Sequence, residues 1–204
     1  VVNYILIKGV KMKIGVIGVG RLGQDCAEVM AESGHEVSGY DINPFESDSI
    51  TQVETIEELV KDKQYVFVSV PTPHDPAYDG STPAMHLEPK DFNYDIATSV
   101  IAEANKYMND RQSIILISTV MPGTIRKQII PLVTNTKFVY NPYLIAMGTI
   151  RWDMVNPEMI MIGTEDGSAT GLAGGLSVFY DAFMENNPKT IIGTWEEVET
   201  MKIF

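Results

Sequence analysis

Cysteine is nearly absent: Cys26 is the single one in 204 residues. One thiol can neither close an intrachain disulfide nor build a cysteine metal site, a usage that suits a reducing cytosol and a cytoplasmic location. Histidine is sparse as well. His35, His74 and His86 are scattered without metal-ligand spacing, so they read as solvated or hydrogen-bonding side chains, and no metal is expected. No apolar run approaches the roughly eighteen residues of a membrane span. The opening VVNYILIKGVK carries an apolar run too short for a secretory signal. Basic residues are outnumbered, 15 against 27 acidic ones, for a formal charge of −12. Such a surface repels nucleic-acid backbones and anionic lipid, which argues against either as a partner. A phosphate-bearing ligand would have to be held locally, by backbone amides or a few basic side chains.

What is present is ordinary for a soluble globular protein: 45% hydrophobic and 21% charged residues. The length suits one medium domain with the start of a second. Met12 directly precedes KIGVIGVG, so residues 1–11 read as an upstream extension, 12–193 as the domain and 194–204 as the start of a further helix. Apolar runs predict strands at 13–18, 35–41, 65–70, 113–119, 137–141, 159–164 and 190–194. Helical spacing falls at 21–33, closed by Gly34, and at 54–62, 91–108, 123–133 and 167–186, the last weakened by internal glycines. Strands alternating with helices predict an α/β fold: a doubly wound, mostly parallel sheet with right-handed crossovers and helices on both faces. The loop 71–90, rich in proline, is long for a compact domain and reads as functional or disordered.

The first strand runs into Gly18-x-Gly20-x-x-Gly23 and then a helix. The motif alone is weak, but strand–turn–helix is the context it requires. Gly18 permits the tight turn, Gly20 lets the backbone approach a pyrophosphate, and Gly23 lets the helix pack on the strand. Val19, Arg21 and Leu22 complete this loop. The free N–H groups of the helix face the anion, each dipole contact contributing about 0.3–1 kcal/mol when exposed. Asp41 ends the second strand 18 residues after Gly23. Its carboxylate can accept both ribose hydroxyls and repels a 2′-phosphate, which predicts NAD rather than NADP in a Rossmann-type fold. The other reading is that Asp41 caps a turn with Asn43-Pro44.

Ligands of open α/β sheets sit beyond the carboxyl ends of the strands. Three such ends carry unusual chemistry: Val70, Pro71 and Thr72 in VPTP, Ser118 and Thr119 in STVMPGT, and NPY at 141–143. The stretch VYNPYLIAMGT turns apolar again after the Asn141-Pro142 break. Tyr143 and the backbone of Leu144, Ile145 and Ala146 are expected to wall a substrate beside the cofactor crevice.

With GVIGVGRLG, VSVPTP, STVMPGT and NPYLIAMGTIRWDMVNPEMIMIG in place, the chain from about Lys13 onward resembles the UDP-glucose/GDP-mannose (nucleotide-sugar 6-) dehydrogenase family, in its N-terminal NAD-binding domain. The resemblance implies NAD-dependent oxidation of the C6 alcohol of a UDP- or GDP-sugar to a carboxylate through a cysteine-bound intermediate, in polysaccharide biosynthesis. It implies that Thr119 borders the nicotinamide and helps position water, and that Thr72 and its neighbours cover the cofactor. Tyr143 to Ala146 would then wrap the nucleotide sugar. Lys202 would steady the developing oxyanion, a contribution of about 2.7–4 kcal/mol for a good donor. The other reading of Lys202 is a solvated lysine paired with Glu199 at i, i+3.

Three departures from the family pattern stand out. Glutamates of the family fall here at Tyr143 and Met147, and neither a phenol nor a thioether can act as a carboxylate base near neutral pH. The stretch between Asp41 and VSVPTP is shorter. Finally, Thr194-x-x-Glu197 is a capping box that opens a helix with no C-cap. That helix is expected to be the start of a long inter-domain helix through which the full-length protein dimerises, before a second domain holding the nucleophilic cysteine. Cys26, on the first cofactor helix, reads as a small buried thiol. The fragment alone is expected to be inactive. Two further functions fit the same residues: a 3-hydroxyacid-dehydrogenase-like oxidoreductase, and a non-catalytic dinucleotide-binding module.

Overall fold

A computed structural model describes residues 11–83, 85–146 and 148–204, so most of the expected extension, and Met147, lie outside the described residues. The elements run β1 (Lys13–Ile17), α1 (Arg21–Glu32), β2 (Glu36–Tyr40), β3 (Thr51–Gln52), α2 (Ile56–Val60), β4 (Tyr65–Val68), α3 (Asp95–Tyr107), β5 (Ser113–Leu116), β6 (Lys137–Tyr140), α4 (Ile150–Val155), β7 (Met159–Thr164), α5 (Leu172–Asp181), β8 (Lys189–Thr194) and α6 (Trp195–Ile203). They form one sheet in the order β3-β2-β1-β4-β5-β6-β7-β8. Strands β1 to β6 are mutually parallel. β7 pairs antiparallel with β6, and β8 follows β7 in parallel.

Strand residues alternate between two apolar cores. Val16, Phe67, Ile115 and Ile162 face α1, α4 and α5, while Ile17, Val66, Leu116 and Met161 face α2, α3 and α6. Both faces of the central strands are therefore dry, which explains why those strands read as unbroken apolar runs rather than alternating ones. Chain order reverses between β1 and β4. The crevice above that switch point is where such sheets bind ligands.

Several expectations shift. The short edge strand β3 and the helix α4 are not visible as patterns, being too brief to carry periodicity. The helix expected over 123–133 is instead a π-helical turn at Ile125–Ile129 followed by a 3-10 turn at Ile130–Leu132. Pro131 lacks an N–H and its ring clashes with the carbonyl four residues earlier, so a regular helix cannot run through it. The helix expected over 167–186 shrinks to α5, because Gly167 and Gly171 take positive φ of 72° and 60° before it. Thr194 and Glu197 close the predicted capping box: the Thr194 amide donates to Glu197 Oε2 at 2.7 Å, and the Glu197 amide donates to Thr194 Oγ1 at 3.3 Å. No helix among the described residues is long and apolar enough to cross a membrane.

Candidate functional site

A crevice of about 850 Å³ lies over the switch point. Its floor is the turn from β1 into α1. Gly18 adopts φ +90°, and a Cβ there would stand 2.4 Å from the Ser69 carbonyl oxygen. A Cβ on Gly23 would lie 1.9 Å from the Gly18 carbonyl oxygen, so α1 seats directly on the turn. A Cβ on Gly20 would meet no protein atom within 4 Å, so nothing in the protein requires glycine there; the constraint fits a ligand approaching from the crevice. α1 has no side-chain cap and no acid in its first turn. Its leading N–H groups are thus left for an anion, which the positive helix end favours.

Asp41 lines the crevice beyond β2. One oxygen accepts the Asn43 amide at 2.9 Å, so the turn-capping reading is real. The two roles are compatible, because a carboxylate has a second oxygen. The loops after β4 and β5 are laced together. Thr72 donates to the Thr119 carbonyl and Ser118 to the Val70 carbonyl, both at 2.6 Å. The Thr72 and Ser118 hydroxyls therefore give their protons to fixing the loops, while their oxygens can still accept.

Of the NPYLIA segment, Tyr143 and Ile145 line the crevice, while Leu144 packs into the core beneath α3 and α6. Ala146 is exposed, and its amide donates to Asp153 Oδ2 at 2.9 Å. Alternation along an extended backbone explains why every second residue turns away from the crevice. The Tyr143 hydroxyl shares a hydrogen bond of 2.6 Å with that of Tyr180, which donates in turn to Asn141 Oδ1. Asn141 is fully buried and donates to the Met161 carbonyl at 2.7 Å. Burial and the neighbouring Tyr180 push the Tyr143 phenol well above its ordinary pKa. It cannot serve as a base near neutrality.

Lys202, from α6, reaches the same crevice, and its Nζ donates to the Tyr143 carbonyl at 2.7 Å. Burial lowers its pKa, because removing an ammonium from water penalises the charged form. The pairing with Glu199 is not formed. Glu199 accepts instead from the Gly123 and Ile125 amides at 2.6 and 2.8 Å.

Gly18, Val19, Gly20, Arg21, Leu22, Gly23, Asp41, Val70, Pro71, Thr72, Ser118, Thr119, Tyr143, Ile145 and Lys202 thus border one crevice. Among these and the other described lining residues Asp41 is the sole carboxylate. Ile42, Ile96 and Val100 line it too and escaped the sequence reading. Ile42 is 86% exposed, and an isoleucine directly after the strand-ending aspartate was the available signal. Cys26 is 1% exposed with its thiol pKa raised by burial, which makes it inert packing. His35 accepts the Met12 amide at 3.3 Å and stacks near Phe179, again a structural role. No cluster of three metal-ligating side chains occurs among the described residues.

The profile of the UDP-glucose/GDP-mannose dehydrogenase family, NAD binding domain, matches residues 45–184. That of the D-isomer specific 2-hydroxyacid dehydrogenase, NAD binding domain, matches residues 5–77, which include the glycine turn. GDP-mannose 6-dehydrogenase of Pseudomonas aeruginosa is 27% identical over 180 residues, covering 76% of this chain and 41% of that protein. The chain therefore spans about two-fifths of the length of this curated relative. A crystal structure of a ternary complex of GDP-mannose dehydrogenase from the same organism superposes with TM-score 0.75 at 20% identity, over 94% of this chain and 48% of that one. UDP-glucose dehydrogenase from Pyrobaculum islandicum gives TM-score 0.72 at 21% identity, over 97% and 50%. With a family profile covering more than half its residues and a glycine turn, strand-end carboxylate and laced loops around one crevice, the chain belongs to the UDP-glucose/GDP-mannose dehydrogenase family, as its NAD-binding domain.

Proposed function

We propose that this chain is the cofactor-binding half of a nucleotide-sugar 6-dehydrogenase. It holds NAD while hydride passes from the C6 alcohol of a UDP- or GDP-sugar to the nicotinamide, on the way to the sugar acid. The observation that carries this reading is the approach of Lys202 and Tyr143, from distant parts of the chain, to the crevice bordered by the glycine turn.

In this reading the α1 amides take the pyrophosphate and Asp41 takes the adenosine ribose. Val70 to Thr72 and Ser118 to Thr119 cover the nicotinamide end. Thr119 and Lys202 stand at the reacting carbon, where a cation favours the alkoxide left when the hydroxyl gives up its proton, from which hydride departs to leave a carbonyl. Tyr143 and Ile145 wall the sugar. NAD supplies the hydride acceptor; the residues of this chain supply orientation and charge. With Asp41 the one carboxylate among the described lining residues, the base and nucleophile needed to complete a sugar acid would come from outside this crevice. Residues 12–193 form the domain in this reading, with 194–204 leading toward a dimerising segment in a cytoplasmic enzyme. The acidic surface supports neither nucleic acid nor membrane as partner.

Titration calorimetry with NAD, NADP, UDP-glucose and GDP-mannose tests the proposal. The expected result is NAD binding tighter than NADP, and one nucleotide sugar binding more tightly once NADH is present. Absence of binding by every nucleotide sugar in the presence of NADH would overturn it.

A further inference from the structure

α6 carries two side chains that point to different tasks. Lys202 enters the crevice, and Glu199, three residues earlier, does not. Glu199 is 0% exposed. A carboxylate is seldom left fully buried without a counter-charge, since desolvation costs several kcal/mol on the order-of-magnitude scale for such ions. It accepts from two backbone amides, Gly123 at 2.6 Å and Ile125 at 2.8 Å. Those amides open the π-helical turn that follows β5, and the segment has no side-chain cap of its own. The carboxylate therefore caps, from another helix, N–H groups that would otherwise be orphaned.

The same loop begins at Thr119 on the crevice wall. From the residue just before α3, the Tyr94 hydroxyl braces it as well, accepting the Met121 amide at 3.0 Å and lying 3.3 Å from Thr124 Oγ1. Glu199 thus ties the loop that presents Thr119 to the helix that presents Lys202. Lys202 is tied in turn to the NPYLIA segment through the Tyr143 carbonyl. Thr119, Lys202 and Tyr143 come from three separate stretches of chain, and the first two are joined by the buried Glu199 carboxylate and, nearer the surface, by the Arg126–Glu196 pair.

We propose that Glu199 is a positioning residue: it sets the reach of Lys202 into the crevice relative to Thr119, without touching cofactor or substrate. The proposal rests on the assignment of Lys202 and Thr119 to the reacting end. Its physical content, a mechanical tie between loop and helix, can be read without any turnover. The titratable groups that face Glu199 are Tyr140 and Arg126 from the elements packed against it and Glu196 on its own helix.

The test compares Glu199→Ala and Glu199→Gln with the unmodified chain, using Glu103→Gln as control, since Glu103 pairs with Lys106 on its own helix α3 at 2.5 Å and does not line the crevice. Circular dichroism establishes folding. Carbon-13 labelling of lysine side chains, assigned with Lys202→Arg, follows the Lys202 amine as pH rises, and calorimetry follows NAD. Glu199→Ala should bring the Lys202 titration up toward that of an ordinary lysine and weaken NAD binding roughly three- to tenfold, the range expected for coupled neighbours. Glu199→Gln, which keeps one acceptor oxygen, should fall between, and Glu103→Gln should change neither. If Glu199→Ala does not fold, Glu199→Gln decides. Folded variants whose Lys202 titration and NAD affinity match the unmodified chain would overturn the proposal. A Lys202 shift together with no nucleotide-sugar binding by the unmodified chain would keep the tie and overturn the enzymatic reading alone.

Discussion

The ammonium of Lys202 and the carbonyl oxygen of Tyr143 meet at 2.7 Å, joining residues 59 positions apart. Through this bond α6 and the NPYLIA segment are joined at the crevice. An ammonium has three protons to donate, and one goes to Tyr143. In the proposed reading this half-buried cation, with donors to spare, acts as an electrostatic group.

That position should cost stability. The pKa of Lys202 is lowered by burial, so the folded state disfavours its charge. Below the folded pKa the ammonium is charged in both states and the penalty is full. It fades as pH rises through the folded pKa toward the unfolded value near 10.4. Lys202→Met should therefore unfold at no lower a urea concentration than the parent at pH 7, with any advantage shrinking at about pH 10. A clearly lower midpoint at pH 7 would show that the bond to Tyr143 outweighs desolvation.

Asp41→Asn separates the two tasks of Asp41. An asparagine oxygen can still accept the Asn43 amide, so the turn should persist. The charged acceptor proposed for the ribose hydroxyls is lost, an expected loss of about 1.5–3 kcal/mol for hydrogen bonds to an ion. NAD affinity should fall by roughly tenfold or more while NADP affinity holds or improves. Calorimetry with both cofactors reads this directly, and equal losses for the two would remove Asp41 from the ribose.

Two glycines should respond differently to alanine. Gly34 has φ +96° with open space around its Cβ position, so alanine there adds backbone strain of about 1–2 kcal/mol and nothing more. Gly23→Ala drives a methyl into the Gly18 carbonyl and forces α1 off the turn, an overpacking cost of about 1–3 kcal/mol. Thermal unfolding should register both. NAD affinity should collapse for Gly23→Ala alone.

His35 supplies an acid-side dependence. Burial lowers its pKa, and its Nε2 is buried without a hydrogen-bond partner among the described residues. The folded state thus binds the proton less well than the unfolded chain. The neutral ring contributes fully above the unfolded value of about 6.5, and that contribution is lost as pH falls through it toward the folded pKa. Compared with His35→Gln, the native chain should lose stability between about pH 7.5 and 5.5, measured by urea titration. Parallel curves for the two proteins would show that His35 titrates alike in both states.

Local patterns were readable wherever a short stretch sets its own conformation. The seven longer strands, the glycine turn and the Thr194–Glu197 box follow from spacing alone. α4 was not readable, since its six residues include the 64%-exposed Trp152 and carry too little periodicity. The reversal of β7 was equally hidden, because strand–helix alternation does not fix direction. Glu199 illustrates the limit most sharply. Along the chain its natural partner is Lys202, three residues on, yet the fold offers it two orphaned amides at hydrogen-bond distance. Buried amides without acceptors are costlier than a surface ion pair is favourable, so the carboxylate goes to them.

The sequence by itself determined the kind of protein: a parallel α/β sheet with a dinucleotide turn, because backbone freedom at Gly18, apolar runs and helix starts are properties of adjacent residues. Tertiary structure alone decided which residues share the crevice. Ile42, Ile96 and Lys202 meet there because strands stacked side by side bring their carboxyl ends together and α6 packs back toward β7, and no local rule encodes such a meeting.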